Sequence, residues 1–206
     1  MTKYIALLLG VLLATTMVAC GDDDDDAPAS PSVTRTTAPE SVTAVATAGS
    51  RRTGIPAVDG LIDSVLKGDM PAVVAQVEYR TIPCVTASSG VGSPPRCAPS
   101  EAAGTPVQVF QYAVCEGEYV RPADVPRLFS DYLANAKLYA VTKPQTFAAP
   151  VAYGVIFDTG RPAPAGVVML LLTDAGKITD FWRGCGDTPQ SLYERLKSTT
   201  LVPPAP

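Results

Sequence analysis

Whatever chemistry this chain performs is built without imidazole, because its 206 residues include no histidine. That excludes Ser-His-Asp and Cys-His nucleophilic systems and every metal site that needs a histidine ligand. Five cysteines remain, Cys20, Cys84, Cys97, Cys115 and Cys185, and no two stand in the Cys-x-x-Cys spacing of a zinc site. Cys185 lies between Gly184 and Gly186 with no base nearby in sequence to make it a nucleophile. The run Asp22 to Asp26 is consecutive, whereas calcium loops space their carboxylates on alternate positions around a turn glycine, so it reads as a solvated segment. Tyr112, Tyr153, Asp180, Trp182 and Arg183 fall on strand-like stretches; Asp180 and Trp182 share one face of theirs, Phe181 and Arg183 the other. Which face is inside is not written in the sequence. The reading therefore contains no catalytic residue, no metal ligand and no cofactor site.

The residues before the domain decide where it works. Lys3 supplies a positive start, Ile5 to Leu13 an apolar stretch too short to span a bilayer as a mature helix, and Ala19 a small residue before Cys20. The stretch Leu12 to Cys20 resembles the lipobox of bacterial lipoproteins, with Met17 where that pattern usually has Leu. The resemblance implies a signal peptide over residues 1–19 and acylation of Cys20, palmitate being one such chain, as the first residue of the mature protein. Two or more acyl chains anchor a protein stably where one does not. Residues 20–52 then form a disordered spacer rich in Asp, Ala, Pro and Thr. The expected location is the extracytoplasmic face of the cell membrane.

The 154 residues from 53 to 206 are enough for a single globular domain, and their 12 Lys and Arg against 14 Asp and Glu exclude a basic nucleic-acid surface. Pro56 followed by Val58, Leu61, Ile62, Val65 and Leu66 predicts an amphipathic helix that Gly68 ends; Asp69 then caps a second helix carrying Val73, Val74 and Val77. A short strand around Arg80 to Ile82 leads to Cys84, and the Gly, Ser and Pro residues of 85–104 predict a loop. Residues 105–114 alternate as a strand, Glu116 to Glu118 suggest a turn, and Val125, Leu128, Phe129, Tyr132 and Leu133 predict a third helix. Four β-rich runs follow at 138–142, 151–158, 166–173 and 177–183, an antiparallel meander whose run Val167 to Leu172 is apolar enough to be covered on both faces. A helix over Asp187 to Lys197 and a tail from Val202 close the chain.

Four cysteines in an exported domain read as two disulfides with three possible pairings. Cys84 with Cys97 is favoured because the two flank the loop, and Cys115 with Cys185 because that ties a middle strand to the closing one. Chain entropy assigns these bonds about 3 and about 4 kcal/mol.

The leading helix pair, the internal helix and the closing hairpin around Asp174-Ala175-Gly176 resemble the nuclear transport factor 2-like, or SnoaL-like, superfamily over residues 55–184. The resemblance implies an α+β fold in which the helix pair and the internal helix pack on a curved, cone-like antiparallel sheet, with a short C-terminal helix added. It further implies a cone that binds a small apolar ligand or a protein partner, and it is compatible with a homo-oligomer. The expected role is a non-catalytic, membrane-anchored binding lipoprotein; the alternative is a cofactor-free isomerase or dehydratase of that superfamily.

Overall fold

Among the described residues an eight-stranded mixed sheet carries the fold, its strands in the order Arg80–Pro83, Pro106–Val114, Ile178–Arg183, Val167–Leu172, Tyr153–Asp158, Lys137–Lys143, Thr199–Val202, with Glu116–Val120 also paired to Pro106–Val114. The computed structural model describes residues 51–87, 90, 92–114, 116–145, 147, 150–196 and 199–205, all within the unit Ala46–Pro206. The expected signal stretch, Cys20, most of the expected spacer and Cys115 lie outside the described residues. The strands are β1 (Arg80–Pro83), β2 (Pro106–Val114), β3 (Glu116–Val120), β4 (Lys137–Lys143), β5 (Tyr153–Asp158), β6 (Val167–Leu172), β7 (Ile178–Arg183) and β8 (Thr199–Val202). The helices are α1 (Pro56–Leu66), α2 (Met70–Val74), α3 (Val125–Leu133) and α4 (Pro189–Leu196). No helix among the described residues is long and apolar enough to cross a membrane.

This architecture overturns the expected helix pair on an antiparallel cone. The strands β4 to β7 are consecutive antiparallel neighbours, but β7 then pairs in parallel with β2, Gln111 opposite Asp180 and Val114 opposite Arg183. Strand propensity marks a segment as extended without naming its partner, and β2 and β7 are far apart in the chain. The expected second helix shrinks to five residues. It stops because the backbone beyond it is claimed by the sheet: Ile178 N–H donates to the Gln76 carbonyl and Glu78 N–H to the Ile178 carbonyl, both at 2.9 Å. Glu116 to Glu118 are not a turn but part of β3, paired with the second half of β2. The residues before the expected tail form β8 against β4.

Local chemistry explains the helices that do form. In α1 Pro56 occupies the first turn, and the Asp59 carboxylate accepts from Thr53 N–H at 2.8 Å and Gly54 N–H at 3.1 Å, tying the entering chain to the positive end of the helix. Val58, Leu61, Ile62 and Val65 are buried, whereas Leu66, expected on the same stripe, is 52% exposed. Gly68, at φ +71°, adopts the left-handed conformation that ends a helix. The Asp69 Oδ1 caps α2 by accepting from Ala72 N–H at 3.1 Å.

The two larger apolar cores among the described residues lie on opposite faces of the sheet. On one face, residues of α1, α2 and α3 meet Phe110, Tyr112, Phe157, Val168, Leu170, Leu172, Ile178 and Phe181. On the other, Leu192 and Leu196 of α4 meet Ala140, Ile156, Val167, Met169 and Leu171. Each core takes alternate residues of β6, so every residue of that strand is buried. Arg51 fastens the entering chain to the far edge: its guanidinium donates to the carbonyls of Leu138 at 2.7 Å, Tyr139 at 2.5 Å and Pro203.

Candidate functional site

Cys84 and Cys97 are joined, closing the loop between β1 and β2 and packing with Val107 and Val109. Glu101 lies beside these sulfurs, but a disulfide offers no thiolate, so the group is no metal site while the bond is intact. Cys185 is also disulfide-bonded; Cys115, its expected partner, lies outside the described residues.

The α4-bearing face of the sheet is only partly covered, and its open part is a cleft of about 350 Å³. Two rows of paired residues make its floor. Gln111, Asp180 and Leu171 form one row across β2, β7 and β6, and Ala113, Trp182 and Met169 the next, with Gln111, Ala113, Asp180, Trp182 and Leu171 exposed to the cleft. Arg80 of β1 closes one side, and Phe147, Pro150 and Val151, from the connection between β4 and β5, close the other.

A register shift aims Asp180 here. Ile178 opposes Leu172, but Asp180 opposes Leu171, so Thr179 is the extra residue of a bulge. In an uninterrupted ladder Asp180 would oppose Leu170 and enter the core beneath α1 and α3. The bulge instead sends Phe181 into that core and Asp180 into the cleft, with Thr179 Oγ1 donating to the Leu171 carbonyl at 3.2 Å. Strict alternation put Asp180 with Trp182 and Phe181 with Arg183; the structure adds that the former pair faces the cleft.

The polar end of the cleft is an ion pair with an amide beside it. Arg80 Nη2 lies 3.2 Å from Asp180 Oδ2, and Arg80 Nη1 donates to Gln111 Oε1. The Asp180 side chain is 10% exposed and that of Arg80 44%, so a buried acid meets a base that reaches water. Because Asp180 is buried, a ligand that displaces this contact must itself supply the charge that the carboxylate loses. The apolar end is Trp182, half-buried, 6.5 Å from Phe147 in an edge-to-face contact, with the Arg195 guanidinium 4.8 Å from its ring centre. Asp187 holds Arg195 there through a 2.7 Å ion pair.

The chain matches no known family, no curated protein and no solved structure. What the site can do thus rests on its own residues.

Tyr112, Tyr132 and Arg183 gather on the opposite face. Arg183 donates to the Tyr132 hydroxyl and lies over the Tyr112 and Tyr132 rings at 5.9 and 4.9 Å. Burial, then the bond to Tyr132, pushes the Tyr112 phenol far above its usual pKa, so it stays protonated at neutral pH. The combination an isomerase would use, a carboxylate bonded to a tyrosine at a cavity floor, is not formed among the described residues, where Asp180 accepts from Arg80 instead and Arg80 donates also to Gln111. Tyr153 is buried in the core, with Lys143 over its ring at 5.7 Å. Arg80, Gln111 and Phe147 went unseen in the sequence, since each reaches the cleft only through long-range pairing or a loop.

Proposed function

We propose that the protein is a lipid-anchored, extracytoplasmic binding protein that holds a small amphiphilic molecule in the cleft without transforming it. One observation carries the reading: the chain's single tryptophan, Trp182, and Phe147 converge with Arg80, Gln111 and Asp180 around one cleft on the α4-bearing face of the sheet. A concave, mostly apolar site with a few convergent polar groups is the usual form of a small-molecule site, and about 350 Å³ lies within its ordinary size. The Cys84–Cys97 disulfide is compatible with an extracytoplasmic location. The Lys3, Ile5 to Leu13 and Ala19-Cys20 pattern supports acylation at Cys20 as the anchor.

Two measurements test this. Replacing Cys20 with alanine should release the protein from the membrane fraction or leave it unprocessed; a Cys20→Ala protein that is processed and stays with membranes sinks the anchor. Because Trp182 is the only tryptophan, its emission reports on the cleft with no background from elsewhere. A ligand of the cleft should change that emission saturably and raise the melting temperature with the same midpoint concentration, since it binds the native state alone. A ligand that stabilises the protein without moving Trp182 emission places binding elsewhere.

A further inference from the structure

We propose that the cleft takes a small zwitterion of the α-amino acid type with an apolar side chain, its carboxylate on Arg80 and its ammonium on Asp180. This rests on the cleft being the protein's binding site. Arg80 and Asp180 are the charged residues that line it, one of each sign, so the site is neutral as a whole and polar at one end. A ligand with a net charge would satisfy one of them and face like charge from the other. An uncharged ligand would offer neither a counter-ion. A zwitterion supplies both, and hydrogen bonds between charged partners are the stronger class.

The geometry has room for the exchange. The pair is held by one contact, Arg80 Nη2 to Asp180 Oδ2 at 3.2 Å. A guanidinium has five N–H donors, and one of them goes to Asp180 and another to Gln111, which leaves donors for a carboxylate. Asp180 Oδ1 makes no hydrogen bond among the described residues and can accept from an ammonium. The amine and carboxylate of an α-amino acid sit on one carbon, about 3 Å apart by covalent geometry. That separation matches two opposite charges in contact, with the order of signs reversed. The remaining lining, Ala113, Phe147, Pro150, Val151, Leu171 and Trp182, is apolar and suits a hydrocarbon or aromatic side chain.

The test uses the full-length protein in detergent and Trp182 emission. The probes are leucine, 4-methylpentanoate as leucine without its ammonium, 3-methylbutylamine as leucine without its carboxylate, and glucose as an uncharged polyol. Leucine should bind saturably and each single-charge analogue about tenfold or more weakly, because each forfeits one charge-assisted contact. Arg80→Gln should bring leucine down to the affinity of the amine, and Asp180→Asn to that of the carboxylate. Should either variant fail to fold, the four probes on the unaltered protein still decide. Equal binding of leucine and one single-charge analogue, or binding of glucose alone, overturns the zwitterion while leaving the cleft as the site. Silence of Trp182 toward all four overturns the zwitterion, and absence of a response to a wider panel of amphiphiles then overturns the cleft as well.

Discussion

Replacing Phe181 with alanine should cost about 4 kcal/mol, near the middle of the range for emptying a buried phenylalanine site. Its ring is fully buried and touches three others, with centroids 5.3 Å from Phe129, 5.6 Å from Tyr112 and 5.8 Å from Tyr132. Aromatic pairs at such spacings add roughly 0.5–1.5 kcal/mol each beyond area burial, which holds the estimate away from the lower bound. For a domain of this size about 4 kcal/mol lowers the melting temperature by roughly 8–16 °C. Thermal and urea unfolding followed by circular dichroism measure it, with an unchanged m-value as evidence that the same surface is exposed in both proteins. A cycle pairing Phe181→Leu with Phe129→Leu should return a coupling of about 0.5–1.5 kcal/mol. A loss under about 1 kcal/mol for Phe181→Ala, at constant m, would refute the reasoning, since only a ring facing an open or hydrated space could be removed so cheaply. That outcome would also mean that the face beneath α1 and α3 is hollow.

Gly176, at φ +77° in the β6–β7 turn, has room for no Cβ: one would lie 2.6 Å from Ala57 Cβ. Gly176→Ala should destabilise by about 2–4 kcal/mol through the left-handed backbone and the clash together, and adding Ala57→Gly should recover only the clash. At acid pH, Glu101 should matter. The Arg121 guanidinium, bonded to it at 2.6 and 2.9 Å, and then the Ala98 N–H hold its carboxyl below the ordinary 4.5. A depressed folded pKa means stability that is present above the unfolded value and lost as pH falls through the folded one. The melting temperature of Glu101→Gln should therefore lie below that of the unaltered protein at pH 7 and converge with it as the pH falls through the lowered carboxyl value, a gap of constant size from pH 7 into the acid range being the contrary result.

The parts that could be read in the sequence were those decided within a turn or two of chain. Val58, Leu61, Ile62 and Val65 repeat at helical spacing and are buried as one stripe; the apolar run of β6 is covered on both faces. Leu66 fits the same periodicity and is exposed, as the last residue of α1. Pairing was less legible. Nothing local tells β2 to run beside β7, and the expectation of a cone-like antiparallel sheet failed on that parallel contact. The four residues of β8 are too few to stand out before Pro203. The site was half-legible for the same reason: Asp180 and Trp182 could be placed on one face, but the bulge at Thr179 and the position of α4 determine which face that is, and Arg80 arrives from 100 residues away.

The grip of Arg51 on Leu138, Tyr139 and Pro203 brings the beginning and the end of the folded unit within the reach of one side chain, and Ala205 N–H donates to the Tyr139 carbonyl at 3.1 Å. Chains whose ends meet at one edge tolerate being rejoined there and cut elsewhere. A circular permutant that links residue 205 to residue 51 and opens at the exposed Asp174-Ala175 pair would keep the paired residues of β6 and β7 as separate termini of one sheet. It would also turn the cleft's floor from a covalent hairpin into a seam that two chain ends must close, so that ligand affinity and the order of chain closure become linked quantities.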